Sequence, residues 1–260
     1  MDQFRLGLSE REEKQLRALR LRKNRRQEGH FLAEGIRVVE ALLESTIVTD
    51  WAIVASSLED TERGAALQLE LEKLAIPRRV VPREQFLRLA PTEQSQGILA
   101  VARIPEASWD SIAEREDPAV LLLLDAIQDP GNFGTLVRTA EALGAVAIVA
   151  LPGTVDPWNE KAVRAAAGSS FYLPILTSTW DEAAAWMAKE GYRVLAADVG
   201  GDPPKRGEGK IGLVMGNEGA GISAEIRSMV DKTVGIPLKG RAESLNVAAA
   251  AAILLYELTR

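Results

Sequence analysis

The chain has no cysteine and a single histidine, His30. The first absence excludes disulfides, thiolate metal sites and cysteine nucleophiles, and is compatible with a reducing compartment. The second excludes a histidine-built metal site and leaves any Ser-His-Asp triad dependent on one residue. Aromatics make up 5% of the residues, and Trp51, Trp109, Trp158, Trp180 and Trp186 are scattered without the spacing of a base-stacking platform. The longest apolar run, VAAAAAILLY near the end, falls well short of the roughly 20 residues that cross a bilayer. The start, MDQFRLGLSE, has no basic stretch leading into an apolar one, so a signal peptide is not expected. No segment fits GxGxxG after a first strand, and none carries the GK[ST] of a P-loop, which removes the common dinucleotide and nucleotide-triphosphate readings. These absences lead to the expectation of a cytoplasmic protein with no membrane or metal partner.

What is present begins with charge. Thirty-one Lys and Arg against 37 Asp and Glu give a net charge of -6, which taken alone argues against a nucleic-acid partner. The average hides an asymmetry. Residues 1–37 carry ten basic residues against six acids, for +4, so the remainder sums to -10. Arg20, Arg22, Lys23, Arg25 and Arg26 concentrate this basic character and are expected to meet a polyanion such as RNA; a solvated charged helix is the alternative.

Ser9 followed by Glu12 spells a capping box, which predicts a helix from Glu10 to about Arg26, ended by Gly29. HFLAEGIRVVEALLES reads as a second amphipathic helix around Val38, Val39, Leu42 and Leu43. The short β-rich runs VTDWAIVAS, RRVVP and GILAVARI follow, separated by helical stretches such as AALQLELEKLA. The expectation is a small α/β domain over residues 1–104. Residues 105–118 are polar, contain two prolines and read as a linker. From 119 to 260, apolar strands (AVLLLLDAI, VAIVAL, YLPILT, YRVLAADV, IGLVMG, KTVGIPL) alternate with helices, which predicts a mostly parallel sheet covered on both faces.

Three loops leave those strands with chemistry in them: QDPGNFGTLVR (128–138), GNEGAGIS (216–223) and IPLKGRAESLNV (236–247). In open α/β sheets ligands bind beyond the carboxyl ends of the strands. Taken locally, Asn132 reads as an N-cap, Arg138 as a partner of Glu141 at i+3, and the second loop as a turn capped by Ser223. Ser244 is expected at the N-cap, with Asn246 in the first turn of the alanine-rich helix.

Together the segments resemble motifs 1, 2 and 3 of the SpoU (TrmH-like) family of S-adenosylmethionine-dependent RNA ribose 2'-O-methyltransferases, in DPGNFGTLVRTAEALGA, LVMGNEGAGI and IPLKGRAESLNVAAAAAI. The intervening NEKAVRAAAGSSFYLP is similar too, and the resemblance covers residues 119–260. GHFLAEGIRVVEALLE resembles the L30e-type RNA-binding domain of members that act on ribosomal RNA. The resemblance implies a C-terminal trefoil knot of the SPOUT class, although connections are normally unknotted. It also implies a bent S-adenosylmethionine in the knot, a homodimer whose subunits complete each site, and large-subunit ribosomal RNA as substrate. Transfer RNA methylation, or a non-catalytic RNA-binding protein on the same fold, is the alternative.

Residue by residue, the resemblance gives catalytic roles to Asn132, Arg138, Glu218, Ser244 and Asn246, and cofactor contacts to Met215, Gly216, Asn217, Gly219, Ile236, Pro237, Leu238 and Leu245. It offers Arg138 as a base for the 2'-hydroxyl. A guanidinium is essentially never neutral in proteins, so Arg138 fits better as a fixed cation that stabilises the developing alkoxide while an RNA phosphate or water takes the proton. Lys161 and Arg164, on one helix near the sheet edge, are further candidates for RNA phosphates.

Overall fold

A computed structural model of the protein describes residues 4–90, 92, 95–113, 119–204 and 209–259; part of the expected linker, 114–118, lies outside them. By contacts the chain divides into two compact units, one of residues 1–105 with 158–171, the other of 106–157 with 172–260.

The first unit runs β1 (Phe4–Leu6), α1 (Glu10–Ala18), α2 (Arg22–Glu28), β2 (His30–Glu34), α3 (Ile36–Glu44), β3 (Thr49–Ala55), α4 (Glu62–Lys73), β4 (Arg78–Val81), α5 (Arg83–Leu89) and β5 (Ile98–Arg103). Its sheet has the order β1-β4-β3-β5-β2, with β5 antiparallel to both neighbours. The capping box forms as the sequence predicts: the Ser9 side chain accepts from the Glu12 N–H, and Glu12 accepts from the Ser9 N–H at 2.8 Å.

Two expectations fail here for identifiable reasons. The helix predicted from 10 to 26 is broken, because Leu21 is extended and starts α2 afresh. Carbonyls left without helical partners at the end of α1 are then taken by side chains of α2, with Asn24 Nδ2 donating to Ala18 O (3.0 Å) and Arg25 to Leu19 O (2.7 Å). The stretch from His30, expected to be helical throughout, opens as a strand paired antiparallel with β5. Gly35, at φ +100, cannot continue a right-handed helix, and α3 begins after it.

The second unit contributes α6 (Asp110–Ala113), β6 (Ala119–Leu124), α7 (Pro130–Ala142) and β7 (Ala147–Ala150). The chain then gives α8 (Glu160–Ala166) to the first unit, where Trp158, Val163 and Phe171 join a core with Phe31, Val39 and Leu42. The Phe31 and Trp158 ring centroids are 4.7 Å apart. The second unit resumes with β8 (Ile175–Thr177), α9 (Trp180–Glu190), β9 (Arg193–Asp202), β10 (Lys210–Met215), the single turn α10 (Ala224–Arg227), β11 (Lys232–Val234) and α11 (Val247–Thr259). Its sheet, β11-β9-β10-β6-β7-β8, is parallel throughout.

Every residue of β6 is buried, which its unbroken apolar run requires of a strand covered on both faces. α11 packs against α7 and β6, and Val247, Ala251, Leu254 and Leu258 are among its buried residues. No helix among the described residues is long and apolar enough to cross a membrane.

Candidate active site

The parallel register brings the carboxyl ends of β6, β9, β10 and β11 to one edge, and the loops leaving them converge there. The turn after β6 is strained: Ala126 has φ +56, a conformation costly for a residue with a side chain. Two contacts hold it. Asp125, buried, accepts the Ser223 N–H (2.7 Å), and Asn217 donates to the Ala126 carbonyl (2.8 Å). Ser223 therefore does not cap α10 with its side chain, as the sequence suggested; its backbone is anchored to β6 instead.

Asp129, not Asn132, is the N-cap of α7, accepting the Asn132 N–H at 2.7 Å, with Pro130 as the first helical residue. This frees the Asn132 side chain. Its Nδ2 donates to Glu218 Oε1 at 3.1 Å, and its Oδ1 accepts from Asn246 Nδ2 at 3.0 Å. Asn246 in turn caps α11, its Oδ1 accepting the N–H groups of Ala248 (2.9 Å) and Ala249 (3.3 Å). The capping role expected of Ser244 thus belongs to Asn246. Residues from all three loops form one chain of hydrogen bonds, from the cap of α11 through α7 to the turn after β10.

That turn is tight. Asn217 and Gly221 form a β-bridge, and Asn217 Oδ1 accepts the N–H groups of Gly219 (3.0 Å) and Ala220 (2.9 Å). A Cβ on Gly216 would lie 2.4 Å from the Gly221 carbonyl carbon and the Ile222 nitrogen, so only glycine permits this closure.

Beside the network lies a cavity of 530 Å³, within the range of small-molecule sites. Met215, Gly216, Asn217, Gly219, Ile236, Leu238 and Leu245 line it, as do Asn132, Glu218, Ser244 and Asn246; Pro237 does not. Val234, Val247 and Leu254 extend its apolar wall. A lining that mixes apolar side chains with loop glycines suits a planar base with polar edges. Asp198 and Arg227, paired with each other, also line it, and spacing did not mark them. The one sequence signal for Asp198 is an acid closing the apolar run VLAA, within the residues that form β9.

Asp198 is held ionised. The Arg227 hydrogen bond keeps its carboxyl below the usual range, outweighing partial burial, and the Gly200 and Val199 N–H groups add to this. Among the described residues no group of three or more His, Cys, Asp or Glu could hold a metal ion.

Arg138 is exposed and does not line the cavity. Six residues after Asn132, it lies about 9 Å along α7 and is rotated by about 120°. It makes no ion pair with Glu141 or any other described residue.

The basic segment is divided. Arg22, Lys23 and Arg26 are exposed, whereas Arg25 is 3% exposed and spent on the Leu19 carbonyl. This corrects the expectation that Arg25 faces a phosphate. Arg20 is exposed but donates to Leu89 O at 2.7 Å. Arg164 pairs with the buried Glu34 at 3.1 Å, while Lys161 is exposed.

Comparison with known proteins gives this geometry its relatives. The model of the SpoU rRNA Methylase family matches residues 119–256, and that of the MRM3-like substrate binding domain matches residues 12–100. The 23S rRNA (guanosine(2553)-2'-O)-methyltransferase RlmP of Bacillus subtilis is 35% identical over 248 residues, 94% of each chain. The 23S rRNA (uridine(2479)-2'-O)-methyltransferase of Streptomyces viridochromogenes is 32% identical, over 92% of this chain and 85% of the other. Among solved structures, the SpoU methyltransferase AviRb of S. viridochromogenes in complex with AdoMet superimposes with a TM-score of 0.82 at 28% identity, covering 96% of this chain and 97% of that one. The AdoMet-bound rRNA methyltransferase of Sinorhizobium meliloti gives 0.81 at 29% identity, covering 98% and 97%. With the three loops joined at one sheet edge and more than half of its length matched by the family, the chain belongs to the SpoU rRNA methylase family.

Proposed function

We propose that the protein is an S-adenosylmethionine-dependent ribose 2'-O-methyltransferase acting on large-subunit ribosomal RNA. The observation that carries this reading is the Asn246–Asn132–Glu218 hydrogen-bond chain beside a cavity of cofactor size. Relatives named as 23S rRNA 2'-O-methyltransferases, matching along nearly the whole chain, support the substrate. When bound, the cofactor supplies a methyl group already activated on a sulfonium, so the protein's task is mainly alignment and removal of a proton.

Residues of the chain divide that task. The loop backbone from Met215 to Gly219 and the apolar side chains of Ile236, Leu238 and Leu245 hold the cofactor, with Pro237 shaping the third loop. Asn132, Glu218, Ser244 and Asn246 hold the ribose. Arg138 is a fixed cation that stabilises the developing 2'-alkoxide while an RNA phosphate or water accepts the proton. The position of Arg138, turned away from Asn132 on the same helix, supports a homodimer in which two subunits complete each site.

Residues 1–104, whose core also takes in 158–171, serve as an L30e-like RNA-binding domain, 105–118 as a linker and the rest of 119–260 as the catalytic domain with a C-terminal trefoil knot. The close crossing of backbone at Gly235, where a Cβ would lie 2.4 Å from Asp198 O, supports the knot. Exposed Arg22, Lys23, Arg26 and Lys161 are suited to RNA phosphates. The cytoplasm, where ribosomal RNA is found, is the expected location.

Primer extension at low nucleotide concentration on 23S rRNA treated with protein and S-adenosylmethionine tests the reading. One new stop, absent without the cofactor, is expected. Absence of any cofactor-dependent stop, together with RNA affinity retained and no calorimetric signal for the cofactor, would favour a non-catalytic RNA-binding protein.

A further inference from the structure

The cavity carries three charged side chains: Asp198 and Glu218 are acidic, and Arg227 is its only cation among the described residues. S-adenosylmethionine carries the opposite set, a sulfonium and an ammonium against one carboxylate. Arg227 leaves the C-terminal end of α10 and donates through one Nη to Asp198, whose carboxylate is itself fixed by the Val199 and Gly200 N–H groups. A guanidinium has five N–H donors in a rigid fork. One is used by Asp198, and the others have no protein partner among the described residues. Arg227 is 46% exposed at its side chain, so those donors are reachable.

An arginine steered by a carboxylate, with donors to spare at the wall of a cavity, is built to receive a second carboxylate in a planar, two-bond geometry. The geometry points to Arg227 as the receptor for the carboxylate of the cofactor's methionine moiety, with Asp198 as the positioning residue that aims it. This assignment rests on the cavity being the cofactor site.

Calorimetric titration of the full chain with S-adenosylhomocysteine and with its decarboxylated analogue, which keeps the ammonium and loses only the carboxylate, tests it. Neither ligand can donate a methyl, so binding is read apart from activity. The unaltered protein should prefer S-adenosylhomocysteine by roughly 10- to 100-fold, the range of a charge-assisted pair. Arg227→Met should abolish that preference by weakening only the carboxylated ligand, and Asp198→Asn should reduce it by a smaller factor.

Equal weakening of both ligands by Arg227→Met, or an unchanged preference, overturns the assignment. So does an unaltered protein that binds both ligands equally, a result needing no variant to fold. An unaltered protein that binds neither ligand overturns the cofactor reading of the cavity as well, which separates the two failures.

Discussion

Asn246 donates its carboxamide N–H to Asn132 Oδ1 at 3.0 Å across 114 residues of sequence, and chemistry fixes the direction of that bond at both ends. Asn246 Oδ1 is taken by helix N–H groups, so only its NH₂ faces Asn132. At the far end the Glu218 carboxyl oxygen accepts from Asn132 Nδ2, which leaves the Asn132 oxygen for Asn246. Asn132→Ala should lower the single-turnover methylation rate by on the order of 10², because the remaining two side chains lose their common anchor. Thermal unfolding should shift little, since this side chain caps nothing. Turnover above about a third of the unaltered rate would remove Asn132 from the site.

Arg138→Ala should cost on the order of 10² to 10³ in rate, the magnitude of losing one preorganised charge at a developing oxyanion. Its affinity for S-adenosylhomocysteine should be unchanged, because Arg138 does not line the cavity. Mixing this variant with an Asn132→Ala variant tests for shared sites: partial recovery of activity is expected if subunits pair, and none if each site is built within one chain.

Among the basic residues of α2, burial separates two kinds of effect. Replacing Arg22, Lys23 and Arg26 with alanine should flatten the slope of log RNA affinity against log salt by about two units if all three meet phosphates, at 0.7 to 0.9 per contact. Arg25→Ala should leave that slope alone and lower the unfolding free energy by about 1–3 kcal/mol, since it leaves the Leu19 carbonyl unpaired in the interior. Filter binding across a salt series and denaturant melts read these separately. A slope that responds to Arg25 and not to its neighbours would reverse the assignment.

Stability should depend on acid through Glu12. Burial raises its pKa, but hydrogen bonds from Ser9 and the Arg79 guanidinium outweigh this and lower it from 4.5 to about 2. A depressed folded pKa means stability that is present above the unfolded value and lost as pH falls from about 4.5 to about 2. Glu12→Gln should therefore be less stable than the unaltered chain by about 1–3 kcal/mol at neutral pH, with the gap closing towards pH 2. A gap that stays constant over that interval would show that Glu12 acts through packing alone.

Local rules in the sequence determined much of this molecule. The Ser9–Glu12 capping box, the apolar run of β6, the alternation of strands and helices and the three strand-end loops are short-range patterns, and each appears where the residues predict it. The tertiary structure decided what those patterns leave open. His30–Glu34 carries helix-compatible residues but becomes a strand because β5, about 70 residues on, offers it backbone partners. Asp129 and Asn132 are both competent caps, and only the arrival of Glu218 and Asn246 from distant loops gives Asn132 other work. Arg25 is indistinguishable in sequence from Arg22 and Arg26; it is buried because the break after α1 leaves a carbonyl for its guanidinium. Asp198 and Arg227 meet across 29 residues with no motif to announce them, since an ion pair requires proximity in space and imposes no spacing along the chain.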